Sequence, residues 1–470
     1  MSRFTRWMAV VGGAIVLLWG PELRSAQAAD ADEQIPRYRL QVGQELIYRG
    51  GSDFKYEGGK LVYGESWKVW VVRQNPDKSW RLVIRHGSSF SQERGDTEKK
   101  KKVAAQPEKA EAPEDATFAW CDFYPDGRIV ENDSFGFRMQ PAKLLPRLPA
   151  DKSEVEQGWQ SRDARMDETT SLRMLPGAAA GRCSIETVRN SPMNAIYGSE
   201  YRDVVTFDLK RGLPEQIASE NSQTFGFNGK GTGSIELIEV KSNPAEWTGR
   251  FADETERYFA SQAAYEKATG RNDLAGDDLK RALDEAAADL KRVGSGLQID
   301  ELKKLVDEQW AKQDGYAKYI LEQAAERMAI VGTPSEDWTT TDLEGKAHAL
   351  ENYRAKVVVL DFWYRGCGWC IRAMPQMKEV AAHFEGKPVV VFGMNTDSKE
   401  EDATFVVEKM GLNYANLKAT GLPEKYKVRG FPTLIILDQK GIIRDVHVGY
   451  SPKLKEEVVK SVEKLLKAEQ

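Results

Sequence analysis

Val357-Val-Val-Leu-Asp-Phe-Trp-Tyr-Arg-Gly-Cys-Gly-Trp-Cys370 joins a β-branched run to two cysteines spaced C-x-x-C, and a helical pattern starts at once. That spacing places two thiols where a strand gives way to a helix N-terminus. Backbone N–H groups and the helix dipole there favour a thiolate. A dithiol in that position is most simply read as one that exchanges disulfides. Such exchange needs one accessible thiolate and a second thiol close enough to resolve the mixed disulfide. Cys367, at the helix start, is expected to be exposed and to attack. An unperturbed thiol titrates near ~8.5, and such motifs lower it to roughly 3.5–7.5. Cys370, one turn in, is expected to be shielded and to act second. Asp361 lies in an otherwise apolar strand, where a lone carboxylate is costly to bury and titrates high. A raised carboxylate under a dithiol is a candidate general base.

Around this segment, residues 329–470 alternate strand and helix. The expected strands are Lys356–Trp363, Pro388–Met394, Thr433–Asp438 and Ile442–Val448. The expected helices are Cys370–Phe384, Lys399–Met410 and Pro452–Lys467. Met374, Met377, Ala381 and Phe384 give the first helix a buried stripe, and Pro375 falls inside it. A mixed sheet flanked by helices follows.

Leu360-Asp-Phe-Trp-Tyr-Arg-Gly-Cys-Gly-Trp-Cys370, together with Val428-Arg-Gly-Phe-Pro-Thr-Leu-Ile-Ile-Leu437, resembles the thioredoxin superfamily. The resemblance implies that Pro432 is cis and packs against the dithiol, and that Phe431 offers backbone hydrogen bonds to a bound peptide. It also sets Gly449 in a neighbouring substrate loop. Trp369, between the cysteines, joins these three as an expected substrate contact. Val331 to Leu350 and Asp397 to Lys425 resemble the N-terminal hairpin and the helix insertion of the TlpA/ResA-like branch, whose usual role is reduction of extracytoplasmic disulfides. Departures exist. The Gly368-Trp369 dipeptide lacks the family's common proline, Ala373 stands where many members carry glutamate, and Gly393 stands where thioredoxin proper has a lysine.

At 470 residues the chain is too long for one core, and two or three domains are expected. Residues 29–248 read as β-rich, a sandwich or open barrel, from segments such as Gln44–Gly50, Glu65–Val72, Ser79–Arg85, Ser199–Leu209 and Gly233–Val240 separated by turn residues. Glu93 to Asp115 is charged, includes four consecutive lysines and fits a solvated loop. Residues 249–328 carry apolar residues at three- and four-residue spacing and read as a helical connector. Cys121 and Cys183 either pair as a structural staple or sit buried as thiols acting as small hydrophobes.

Residues 1–28 read as a secretory signal: Arg3 and Arg6, an apolar run from Trp7 to Gly20, then Ala26-Gln27-Ala28. Export to the periplasm or another extracytoplasmic space is the expectation, with membrane association through an uncleaved N-terminus as the alternative. A net charge of −5 gives no reason to expect nucleic acid. No bound cofactor and no metal are expected, because the electrons sit on the thiols. The expected partners are protein thiols or disulfides and an external redox partner. Against the zinc reading stands the lack of a second C-x-x-C, and against haem attachment stands Ile371 where histidine would be required. The rival of a different class is a binding or scaffold protein that uses its C-terminal domain only for docking.

Overall fold

The computed structural model describes residues 35–94, 115–130, 132, 139–271 and 274–467. The expected signal segment and most of the charged stretch from Glu93 to Asp115 lie outside the described residues.

Eleven strands form one antiparallel sheet: β1 (Gln44–Tyr56), β2 (Gly59–Gln74), β3 (Trp80–Arg94), β4 (Asp115–Phe123), β5 (Ile129–Val130), β6 (Trp159–Asp163), β7 (Glu168–Leu175), β8 (Arg182–Asn190), β9 (Glu200–Asp208), β10 (Leu213–Gln223) and β11 (Gly229–Ser242). Their order is β5-β4-β3-β2-β1-β11-β10-β9-β8-β7-β6. The period-2 alternation of β2 explains its two-sided burial. Trp67, Val69 and Val71 enter the inner core, while Trp70 and Val72 face the opposite side. Residues from both halves of the sheet, including Leu82, Phe123, Ile185 and Phe207, share that inner core, so the sheet curls on itself. Tyr38 packs edge-on against both Phe123 and Phe207, at 4.6 and 5.3 Å. Its hydroxyl donates to the Pro146 carbonyl at 2.9 Å. Of the two expected arrangements, this single curled sheet is the open barrel, and the two-sheet sandwich is set aside.

Cys121 on β4 and Cys183 on β8 are both buried in the inner core and are not joined by a disulfide. Of the two readings left open by the sequence, the two buried thiols stand and the staple is set aside. Burial pushes the Cys183 thiol up to about 12, which keeps it protonated.

Three short helices decorate the sheet: α1 (Pro141–Leu144), α2 (Lys152–Gln157) and α3 (Pro192–Tyr197). In α3, Ser191 caps the N-terminus by accepting from the Asn194 N–H, Pro192 opens the first turn, and Gly198 closes the helix in the left-handed region. The long helices α4 (Ala245–Thr269), α5 (Gly276–Ser295) and α6 (Asp300–Ile330) follow. Phe251, Tyr258, Leu290 and Leu302 pack on Trp70, Val72 and Val83, so these helices cover the outer face of the sheet as well as leading onward. No described helix is long and apolar enough to cross a membrane.

The C-terminal domain starts with the hairpin β12 (Thr339–Thr341) and β13 (Ala347–Ala349), then runs β14 (Val357–Trp363), α7 (Gly368–His383), β15 (Val389–Asn395), α8 (Glu400–Met410), β16 (Ala415–Lys418), α9 (Leu422–Lys425), β17 (Thr433–Leu437), β18 (Ile443–Val448) and α10 (Leu454–Lys467). Its sheet order is β16-β15-β14-β17-β18. β14 is central, parallel to β15 and antiparallel to β17. Every residue of β14 is buried, which is why its sequence is a continuous apolar run broken only by Asp361. Helices α7 and α10 cover one face through Ala373, Met377, Val380, Leu454 and Val458. Trp338, Leu350 and Tyr426 pack on the other, against Phe392 of β15.

Candidate functional site

The site grows from the end of β14. The Thr396 N–H donates to the Trp363 carbonyl at 3.0 Å, and the Trp363 indole N–H donates to Asn416 Oδ1 at 3.0 Å. A turn follows, closed by the Cys367 N–H on the Tyr364 carbonyl at 3.0 Å. Cys367 is then the N-cap of α7, and its sulfur accepts from the Cys370 N–H at 3.1 Å. The helix start thus directs its dipole and a backbone donor at this sulfur, and both favour negative charge there. Cys367 and Cys370 are joined as a disulfide with Cα atoms 5.2 Å apart. Cys370 is shielded at 2% exposure, but Cys367, expected to be exposed, is only 6% exposed, because apolar side chains that include Ile196 pack in the same cluster.

Asp361 is buried on β14, and among the described residues its Oδ1 finds no hydrogen-bond partner. Burial pushes its carboxyl up to about 7. The buried phenol of Tyr414 likewise finds no hydrogen-bond partner among the described residues, and it is held well above its ordinary range by burial and then by the charge of Asp361. Tyr414 had no signal in the sequence, since the fold alone brings the segment before β16 toward β14.

The Phe431–Pro432 peptide bond is cis. The Gly449 N–H donates to the Pro432 carbonyl at 2.8 Å, which ties the two loops together. Phe431 packs on the cluster that contains Cys367, Cys370, Ile371 and Met374. Its ring meets Tyr364 edge-on at 5.2 Å. Trp369 is 42% exposed and stacks on Tyr450 at 5.7 Å. Cys367, Cys370 and Phe431 thus share one apolar cluster, Gly449 is bonded to Pro432 next to Phe431, Trp369 lies between the two cysteines, and Asp361 is buried in the central strand that leads to them. Among the described residues, no three His, Cys, Asp or Glu side chains gather in a way that could hold a metal ion.

Two contributions were not foreseen. Arg365 donates to the Asp402 carboxylate at 2.8 Å and to the Ile196 carbonyl at 2.8 Å. Its guanidinium lies between the rings of Phe225 and Phe405, 3.9 and 4.2 Å from their centroids. The other is α3 of the β-rich domain. Ile196 is fully buried in the same cluster as the two cysteines, and Met193 packs against it. The Tyr197 hydroxyl lies 3.6 Å from where a Cβ on Gly368 would stand, so Tyr197 faces the turn that carries the dithiol; burial pushes its phenol up, with Tyr364 adding to the effect and Arg365 opposing it. The adjacency of Arg365 to Gly366-Cys367 was a signal for the first contribution. The second had none, because more than 150 residues separate α3 from the cysteines.

Residues 331–446 match the model of the AhpC/TSA family. Over 152 residues the chain is 30% identical to the thioredoxin-like protein YneN of Bacillus subtilis, a match that spans 29% of this chain and 83% of that relative. It is 29% identical over 136 residues to the thiol-disulfide oxidoreductase ResA of Geobacillus thermodenitrificans, spanning 28% of this chain and 76% of the relative. A solved thiol:disulfide interchange protein from a Bacteroides species is similar at 28% identity, covering 28% of this chain and 90% of its own, with a TM-score of 0.26.

Proposed function

Because the chain belongs to the thioredoxin-like thiol–disulfide oxidoreductases, the family of ResA and YneN, we propose that it exchanges its Cys367–Cys370 pair with the cysteines of extracytoplasmic proteins. The observation that carries this reading is the pair itself, held at the N-cap of α7 with the cis Phe431–Pro432 loop beside it. In the reducing direction the Cys367 thiolate attacks one sulfur of a substrate disulfide. One S–S bond forms, the substrate S–S bond breaks, and the first substrate thiolate leaves and takes up a proton. Cys370 then gives its proton to Asp361 and attacks Cys367 Sγ. The second substrate thiol departs, the Cys367–Cys370 disulfide closes, and two electrons have moved to the substrate. A carboxyl titrating near 7 can accept that proton and release it to solvent at neutral pH. The oxidising direction is the same path reversed, and an external dithiol or disulfide resets the site.

Phe431 and Gly449 offer backbone groups to an extended substrate, while Pro432 and Trp369 supply apolar contact. We assign residues 1–28 to export, 29–248 to the β-rich domain, 249–328 to the helices that link and cover it, and 329–470 to exchange. The periplasm or a comparable oxidising compartment fits this assignment.

Trapping tests the reading. In the intact chain, Cys370→Ala is expected to accumulate covalent, reductant-sensitive adducts with substrate proteins, and the further change Cys367→Ala is expected to abolish them. A wild-type protein that reduces neither insulin nor an unfolded disulfide-bonded peptide faster than dithiothreitol alone sinks the proposal.

A further inference from the structure

A reactive thiol that serves large substrates should stand open, yet Cys367 is only 6% exposed. The covering comes from two sides of unlike origin. On one side the C-terminal domain presents its own aromatic rim: Tyr364 and Trp369, 37% and 42% exposed, with Phe431 and Tyr450 behind them. On the other side stands α3, from the β-rich domain. A Cβ placed on Gly368, between the two cysteines, would lie 3.1 Å from Met193 Cε and 3.6 Å from the Tyr197 hydroxyl. Even the smallest added group there would therefore touch the β-rich domain.

The contact is anchored at several points. Ile196 is buried among Trp363, Cys367, Cys370 and Met374. The Ile196 carbonyl accepts from Arg365, whose guanidinium stacks on Phe225. The Phe225 N–H in turn donates to the Tyr197 carbonyl at 3.0 Å. These bonds place α3 beside the dithiol as a fixed wall.

We propose that Met193, Ile196 and Tyr197 form the second wall of a slot over Cys367, and so determine specificity: the site accepts disulfides carried on slender, extended segments and rejects the same disulfides held on a folded surface. The inference rests on the exchange reading above. Its physical basis is that exchange needs the attacking, central and leaving sulfurs nearly in line. A substrate disulfide must therefore enter between α3 and the aromatic rim along the direction of attack. An extended chain can do so with its flanking residues along Phe431 and Trp369, whereas a folded domain meets α3 first.

The test uses the intact, reduced chain and one disulfide in two settings: on the surface of a folded protein, and in the extended peptide cut from that protein. Dithiothreitol, which has no wall, calibrates the intrinsic difference. The wild type is expected to prefer the peptide at least tenfold more than dithiothreitol does. Met193→Ala with Tyr197→Ala, and separately Phe225→Ala, are expected to cut that preference at least threefold. Because each value is a ratio of two rates in one variant, a change in thiol reactivity cancels. Cys121 and Cys183 report folding, since both stay protected from maleimide only while the β-rich core is intact. A wild-type preference equal to that of dithiothreitol overturns the wall even if neither variant folds. So does a preference unmoved in folded variants. Reaction with neither disulfide defeats the exchange reading itself, and the wall with it.

Discussion

Asp361→Asn offers the most direct probe of the buried carboxyl, because its effect on stability can be worked out in advance. The folded carboxyl titrates near 7, against an ordinary value of 3.8, and the cause is burial. Its folded value is raised, so its contribution is fully present below the unfolded value and is lost as pH rises through the folded one. Between roughly pH 4 and 7 the unfolded chain has released this proton while the native chain retains it. Stability then falls by about 1.36 kcal/mol per pH unit, and roughly three units give about 4 kcal/mol. Asparagine keeps the shape and cannot ionise. In calorimetry, the transition of the C-terminal domain is identified as the one that moves when the Cys367–Cys370 disulfide is reduced. For the wild type that transition is expected to lose about 4 kcal/mol more than the variant's between pH 4 and 7.5. All other titrating groups cancel in the comparison. Wild type and variant running parallel across that window would falsify the account of Asp361 as a carboxyl held protonated by burial, and would remove the basis for its role as proton acceptor.

His447 carries the same logic at higher pH. Burial opposes its charge, but Asp445 and Glu457 outweigh burial and raise it to about 9. Stability from this imidazolium is present below about 6.5 and is lost as pH rises through 9, so His447→Gln should flatten the stability curve between those values in the same calorimetric transition. Trp369→Ala removes an exposed indole from the rim; the KM for a polypeptide disulfide should rise about tenfold, roughly 1.4 kcal/mol, with a smaller change in kcat, as read by steady-state kinetics. Arg365→Gln takes away the stack on Phe225 and the ion pair with Asp402; amide hydrogen exchange across residues 192–198 should speed up at least tenfold, and unchanged exchange would show that α3 is held by its apolar contacts alone.

What was legible in the chain follows from where each interaction is encoded. The strand-to-helix junction at Cys367 is local: an all-buried central strand needs an apolar run, and a reactive pair needs the first turn of a helix. The ends of the long hairpins were not legible. The expected segments Gln44–Gly50 and Ser79–Arg85 continue in the structure to Tyr56 and Arg94. Those extensions contain Gly, Ser, Asp and Gln and are only partly covered, so ladder hydrogen bonds hold them without any apolar alternation to reveal them. The edge strand Ala415–Lys418 was missed for a similar reason: four residues are too few to display a period.

The site itself divides along the same line. Its proposed nucleophile and resolving thiol, its buried carboxyl and its cis-proline loop lie on segments whose residue types announce their environment. The closing of that site is instead a property of the tertiary fold. Met193, Ile196 and Tyr197 are ordinary helix residues, and nothing in Pro192–Tyr197 distinguishes packing on a sheet from packing on a dithiol. Only the position of Ile196 among Trp363, Cys367 and Cys370 gives α3 a chemical context. That context also gives the β-rich domain a reason to share a chain with the exchange domain. The proposed wall needs a scaffold that holds a six-residue helix rigidly in place, and a curled eleven-stranded sheet braced outside by three long helices supplies that rigidity. A covalent linkage keeps the wall at the thiol through every catalytic cycle, so selection by shape does not depend on the concentration of a separate subunit.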